Sequence, residues 1–241
     1  MSGHSRWAQI KHKKALSDAK KSNLFSKMAR LIMVAAKEKG HDPTMNPKLR
    51  MAIEKAKAVG VPKDNIERAI ERGSSGIEAG TLKEVLYEAY GPGGAALLIE
   101  GLTDNKNRTT NEIKHTLSEH GGKLAGEGSV EWMFEKRGAV DVPEEKNNQA
   151  HDDLPLALID AGATDIKNYE KGVTAYIEPQ HIESFKEALI QKGIAFGDIY
   201  IDRLPKTQLP ASAKERVALE KLIAVLDENE DVQEIYTNVN L

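Results

Sequence analysis

From Leu16 to Lys39 the apolar residues Leu24, Met28, Leu31 and Ala35, with Phe25 and Ile32 beside them, return every three or four positions, the spacing that gives a helix one apolar face. Gly40 ends that helix. Asn46 is a good cap for a second helix, with Pro47 at its first helical position, running through Leu49, Ile53 and Ala56 to Gly60. Pro62 opens a third, Asp64 sits in its first turn where the helix dipole favours an anion, Ile66 and Ile70 turn inward, and Gly73 stops it. Three amphipathic helices in succession predict a small bundle. The Gly- and Ser-rich stretch from Gly73 to Thr81 predicts a linker to a different kind of structure.

Beyond the linker the period shortens to that of strands. Val85 to Tyr90 and Ala95 to Leu102 flank Gly91-Pro92-Gly93-Gly94, a hairpin turn whose glycines supply positive backbone angles. A helix from about Thr109 to His120 follows. The next stretch predicts a strand near Val130 to Val142, a helix near Ala150 to Ala161, strands near Thr164 to Tyr169 and Val173 to Glu178, a helix opened by Pro179, and a strand near Ala195 to Arg203. That βαββαβ order is the ferredoxin-like arrangement. A last amphipathic helix through Val217, Leu219, Leu222, Ile223 and Leu226 and a strand near Val232 to Val239 need a sheet to join, and the hairpin before Gly121 is short of strands. The expected fold class is therefore α+β with three domains, an N-terminal helical bundle followed by two α/β domains, one of them ferredoxin-like. The expected boundaries are 1–75 for the basic helical domain, 80–128 with 206–241 for a discontinuous middle domain, and 129–205 for an inserted ferredoxin-like domain. No repeat at a fixed period is visible.

Composition narrows the function. At 241 residues, 40% hydrophobic and 29% charged, the chain is an ordinary globular one. No apolar run approaches the roughly 20 residues that a bilayer requires. The start, Met-Ser-Gly-His-Ser-Arg-Trp, lacks the apolar core of a secretory signal, and cysteine is absent, which excludes disulfides, Cys-type zinc fingers and thiol nucleophiles and suits a cytoplasmic protein. The net charge of -3 conceals a separation of signs: Met1 to Gly73 carries 17 Lys and Arg against 7 Asp and Glu, a balance of +10, and the remainder carries 17 against 30, a balance of -13. One end is built to meet a polyanion, and the rest would repel one.

Within the basic end, Lys13, Lys20 and Lys27 recur every seven residues, as do Lys14 and Lys21, and Arg30 and Lys37. Residues seven apart lie close together on a helix, so these cations form stripes that match a phosphate backbone. His4, Ser5, Arg6, Trp7, Lys11 and His12 precede them. Trp7 among these cations either stacks on an unpaired base or caps the bundle core; both uses bury its ring. In Thr103-Asp104-Asn105-Lys106-Asn107-Arg108-Thr109-Thr110, Thr109 and Glu112 have capping-box spacing, which leaves Lys106, Asn107 and Arg108 either exposed at a helix N-terminus suited to an anion or forming a plain polar loop. The nucleic-acid-binding set is accordingly His4, Ser5, Arg6, Trp7, Lys11, His12, Lys13, Lys14, Lys20, Lys21, Lys27, Arg30, Lys106, Asn107 and Arg108.

Catalysis finds no footing. Gly91-Pro92-Gly93-Gly94 lacks the Gly-Lys-Ser/Thr of a phosphate-cradling loop, the histidines offer no pair four apart on a predicted helix, and Glu144-Glu145 and Asp152-Asp153 read as solvated surface. No catalytic residue, metal ligand, cofactor, membrane or small-molecule substrate is expected, and the chain is expected to act as a monomer.

The chain resembles the YebC or PmpR-like family of transcriptional regulators, which includes mitochondrial translational activators of cytochrome oxidase. The resemblance rests on Gly-His-Ser-Arg-Trp-Ala-Gln-Ile-Lys-His-Lys-Lys at the start, Asn46-Pro47-Lys48-Leu49-Arg50, Val61-Pro62-Lys63-Asp64-Asn65-Ile66-Glu67-Arg68-Ala69-Ile70, Tyr87 to Gly94, Thr103 to Thr109 and Asp231 to Tyr236, and so spans nearly the whole chain. Ser2, Arg6 and Ala89 depart from its usual alanine, lysine and glycine. The resemblance implies three domains and a regulatory role. For some members that role is DNA binding and transcriptional control; for others it is translation at the ribosome, on difficult sequences such as proline runs. The expectation is a DNA-binding transcriptional regulator in a bacterial cytoplasm, with a ribosome-associated translation factor that grips ribosomal RNA as the alternative.

Overall fold

A computed structural model describes residues 18–75, 82–147, 154–169 and 172–241. Its helical part comes first. Helices α1 (Asp18–Lys39), α2 (Pro47–Ala58) and α3 (Lys63–Ser75) enclose Leu24, Met28, Ile32, Leu49, Ile53, Ala56, Ile66 and Ala69. Asn46 caps α2 by accepting from the Leu49 N–H at 3.0 Å, and its amide donates to the carbonyls of Ala35 and Gly40, so one buried side chain fixes the corner between two helices. Gly73 corrects the sequence reading. It does not stop α3, which continues to Ser75; it is buried where a Cβ would stand 2.6 Å from the Met33 carbonyl, so its role is to let α3 lie against α1.

Strands β1 (Lys83–Tyr90) and β2 (Ala96–Thr103) form the hairpin, with Gly93 and Gly94 at φ +70° and +78° in its turn. Helix α4 (Lys106–Glu119) and the short β3 (Lys123–Leu124) follow. Next come β4 (Phe134–Pro143), α5 (Leu154–Ala161), β5 (Asp165–Tyr169), β6 (Gly172–Ile177), α6 (Ile182–Gln191) and β7 (Ile199–Pro205), and the chain closes with α7 (Ala213–Asp227) and β8 (Val232–Thr237). Among the described residues there are two antiparallel sheets, ordered β3-β1-β2-β8 and β5-β6-β4-β7. The second is the ferredoxin-like order, with α5 and α6 packed on Val140, Val142, Ala175 and Ile177. The first carries α4 and α7 on a core of Leu97, Ile99, Ile113, Leu117, Leu222 and Ile235. This is the α+β architecture expected, a helical part followed by sheet domains.

Where strands begin later than the alternation suggests, side chains have taken the backbone. The carboxylate of Glu88 accepts from the N–H groups of Gly128, Val130 and Glu131, so the expected strand at Val130 starts only at Phe134. The amide of buried Asn147 donates to the Ala195 carbonyl and its oxygen accepts from the Ala195 N–H, so the expected strand at Ala195 starts only at Ile199. Both are local groups satisfied by a distant side chain rather than by a ladder. The sheets are joined through Arg203 of β7, which donates to Glu100 of β2 at 2.6 Å and to Glu131 at 3.1 Å.

Candidate nucleic-acid interface

The cations of α1 flank its apolar stripe, with Lys20, Lys27 and Arg30 on one side of Leu24 and Lys21 in line with Met28 and Ile32. Part of the Lys27 side is not solvent. Lys27 is 2% exposed, and its ammonium donates to the Asp227 carbonyl at 2.5 Å and to the Asp227 carboxylate at 3.1 Å. Arg30 donates to the carboxylates of Asp231 and Glu230 and to the Leu102 carbonyl. Lys20, still 58% exposed, pairs with Glu228 at 3.1 Å. Lys21, about 100° round the helix from Lys20, lies on the Phe25 ring and is exposed. Asn23 donates to the Glu228 carbonyl. The lysine stripe expected to lie open to phosphate therefore meets an acidic turn of its own chain between α7 and β8.

The other predicted cations sit where that turn meets α4. The cap of α4 is Asn105, whose side chain accepts from the Arg108 N–H at 3.1 Å, so the helix starts four residues before the Thr109 and Glu112 capping box read from the sequence. Thr109 is instead buried, with its hydroxyl on the Asp231 carboxylate at 2.6 Å, because the carboxylate offers the stronger acceptor. Lys106 and Asn107 are exposed in the first turn, and Arg108 donates to Asp104 at 2.9 Å and to Asp231 at 2.7 Å.

Asp231 is thus the hinge pin, a buried carboxylate shared by Arg30 from the bundle and by Arg108, Thr103 and Thr109 from the sheet domain. Burial pushes its carboxyl up, but the Thr109 hydroxyl, the two guanidiniums and the Thr103 hydroxyl outweigh burial and hold it below the usual carboxylate range. Asp227, Glu228, Glu230 and Asp231 are the residues that the sequence reading missed as a group. The signal was present in Asp227-Glu228-Asn229-Glu230-Asp231, a compact run of acid in a chain whose cations are gathered at its other end.

Further pairs cross the same joint. Lys48 bonds Glu84 at 2.7 Å and Lys55 pairs with Glu234, while Arg50 reaches Glu183 of α6, in the ferredoxin-like domain, at 3.7 Å. Of the predicted contacts, the structure brings Arg30 and Arg108 together on one carboxylate, keeps Lys20, Lys21, Lys106 and Asn107 at the surface, and buries Lys27. His4, Ser5, Arg6, Trp7, Lys11, His12, Lys13 and Lys14 lie outside the described residues.

Elsewhere the chemistry is structural. Among the described residues no group of three His, Asp or Glu side chains is placed to hold a metal ion, and no helix is long and apolar enough to cross a membrane. Asp141, on β4 of the ferredoxin-like sheet, accepts from Thr174 of β6 at 2.6 Å; burial, with nearby Asp198 and Asp202, pushes it up to about 6 against that hydroxyl.

The chain matches two family models, the TACO1/YebC protein N-terminal domain over residues 5–76 and the TACO1/YebC second and third domain over residues 82–239. A protein of Thermoanaerobacter pseudethanolicus named "probable transcriptional regulatory protein" is 46% identical over 241 residues, covering 100% of this chain and 98% of that one. One of the same name from Kosmotoga olearia is 46% identical, covering 100% and 95%. The crystal structure of a conserved hypothetical protein from Aquifex aeolicus superposes with a TM-score of 0.85 at 38% identity, covering 97% of this chain and 96% of that one.

Proposed function

This chain belongs to the TACO1/YebC family, and from that premise we propose that it is a non-enzymatic, cytoplasmic regulator of gene expression that binds nucleic acid through its basic end, as a DNA-binding transcriptional regulator. The relatives' names support the regulatory role. The observation that carries nucleic-acid binding is the segregation of charge, +10 on the first 73 residues against -13 on the rest. Such a surface gains affinity by releasing counterions from phosphates and requires no base-specific geometry. Contacts fall to the basic N-terminal segment and to the exposed cations Lys20, Lys21 and Lys106, of which Lys20 is shared with Glu228.

A second reading has one observation in its favour. The cations of α3, Lys63, Arg68 and Arg72, alternate with Asp64, Glu67 and Glu71, and Arg68 is engaged with Asn65 at 2.7 Å, so this helix does not present the row of Asn, Gln and Arg that reads base edges in a major groove. Backbone contact without base readout suits ribosomal RNA and a role in translation equally. Sedimentation with ribosomes at physiological salt, with specific and random duplex DNA as competitors, separates the two. Promoter-selective DNA binding without comigration supports transcription; comigration that DNA does not compete away overturns it for translation. In either case charge reversal at Lys20, Lys21 and Lys106 weakens binding and flattens its salt dependence.

A further inference from the structure

Asp227, Glu228, Glu230, Asp231 and Glu234 put five acids into eight residues, and four of the five hold cations of α1 while Glu234 holds Lys55 of α2. Along α1, Lys20, Lys27 and Arg30 span ten residues, about 15 Å at 1.5 Å per residue. The row of cations is met by a row of acids from the same chain. We propose that the 227–234 turn is a built-in competitor for nucleic acid: it occupies this face of α1 in the closed protein, and phosphates displace it, releasing the helical bundle from the middle domain. The inference rests on the nucleic-acid reading above.

Three features make the turn displaceable. The acids keep their places without α1, because Asn229 donates to Glu112 at 2.8 Å and accepts from the Asp231 N–H, and Asp231 retains Arg108, Thr103 and Thr109 when Arg30 leaves. The outer pairs are weak, since the side chains of Glu228 and Glu230 are 58% and 64% exposed, and an exposed pair contributes little. Burying the Lys27 ammonium costs desolvation that its pair with Asp227 only offsets, so returning it to water or to a phosphate forfeits little. The bundle core is, moreover, almost confined to the bundle itself, with Leu82 as the neighbour from beyond it, and ion pairs recur along the joint.

The test is a comparison of Glu228→Gln/Glu230→Gln with Glu127→Gln/Glu220→Gln, an equal change of net charge at exposed acids away from α1. Affinity is measured for a fluorescent 20-base-pair DNA duplex and a single-stranded RNA of the same length. The chain has no cysteine, so Glu71→Cys on α3 and Ser118→Cys on α4, both exposed, take a donor and acceptor pair that reports the separation of bundle and middle domain. The expected result is that the first variant binds about three- to tenfold more tightly than the control variant, and that energy transfer falls as either probe saturates the labelled protein. Equal affinities of the two variants, or transfer unchanged at saturation, overturn the competitor and leave the nucleic-acid reading standing. Failure of every form to bind either probe overturns that reading, and the competitor with it.

Discussion

Replacing Asp231 by asparagine tests the joint at its most buried carboxylate. Asparagine has nearly the same shape and keeps one carbonyl oxygen, so the Thr109 bond at 2.6 Å can survive; what disappears is the anion facing Arg30 and Arg108. A hydrogen bond to a charged partner contributes about 1.5–3 kcal/mol. Arg108 is 45% exposed and keeps Asp104, so its share falls to the surface value of about 1 kcal/mol or less. Arg30, at 22% exposure, keeps only the outer Glu230 as a charged partner, beside the Leu102 and Glu230 carbonyls, and loses more. The net loss is about 2–3 kcal/mol, which lowers the melting temperature of a chain this long by about 5–10 °C. The pH dependence has a definite sign. Because the folded carboxyl is held below its unfolded value of about 3.9, its stabilisation is complete above that value and is lost as pH falls through the folded pKa. In urea denaturation followed by circular dichroism, the gap between native protein and Asp231→Asn should stay constant from about pH 7 to 5 and close below about 4. A gap under about 0.5 kcal/mol, or one that does not change with pH, would refute the assignment of Asp231 as an ionised hub.

Gly73→Val drives a side chain toward the Met33 carbonyl, where even a Cβ stands 2.6 Å away, and should lower stability by about 2–4 kcal/mol in thermal melts; a loss below 1 would show that α1 and α3 separate freely. Glu88→Gln replaces an acceptor of three backbone N–H groups by one with half the acceptor capacity, so amide exchange at Gly128, Val130 and Glu131 should accelerate at least tenfold while that of β2 stays slow. Asp141 carries the opposite sign from Asp231. Its folded pKa is raised to about 6, so the stability of the protonated form is complete below the unfolded value and is lost as pH rises through 6. Asp141→Asn should therefore be more stable than the native protein by about 1–2 kcal/mol at pH 8 and equal to it near pH 4, as measured by urea denaturation.

The bundle was legible in the chain because its signals are local. The apolar period of α1, the Asn46 cap with Pro47 behind it, and Pro62 before α3 each act within one turn, and the structure forms those helices on them. The βαββαβ order was legible for the same reason. What failed was competition decided at a distance. Thr109 has the spacing of a cap, but Asn105 stands where β2 releases the chain, and the Asp231 carboxylate, 122 positions away, takes the Thr109 hydroxyl. Gly73 has the look of a helix stop, but α1 lies so close that only glycine fits, and the helix runs on.

The lysine stripes were legible as a pattern but not in their surroundings. Periodicity places Lys20 and Lys27 on one face of a helix correctly, yet it is silent on what that face meets. Lys27 and Asp227 are 200 positions apart, and a cation row has the same sequence signature whether an external phosphate or an internal carboxylate completes it. The two differ only in whether the acids elsewhere in the chain are gathered or scattered. Here they are gathered, in a turn between α7 and β8 that Asn229, bonded to Glu112 and to the Asp231 N–H, and the β2 ladder hold in place. A chain with one strongly basic end and one compact acidic run carries, in its charge pattern alone, the means to bind itself, and Lys21 stays exposed on α1 beside the cations so engaged.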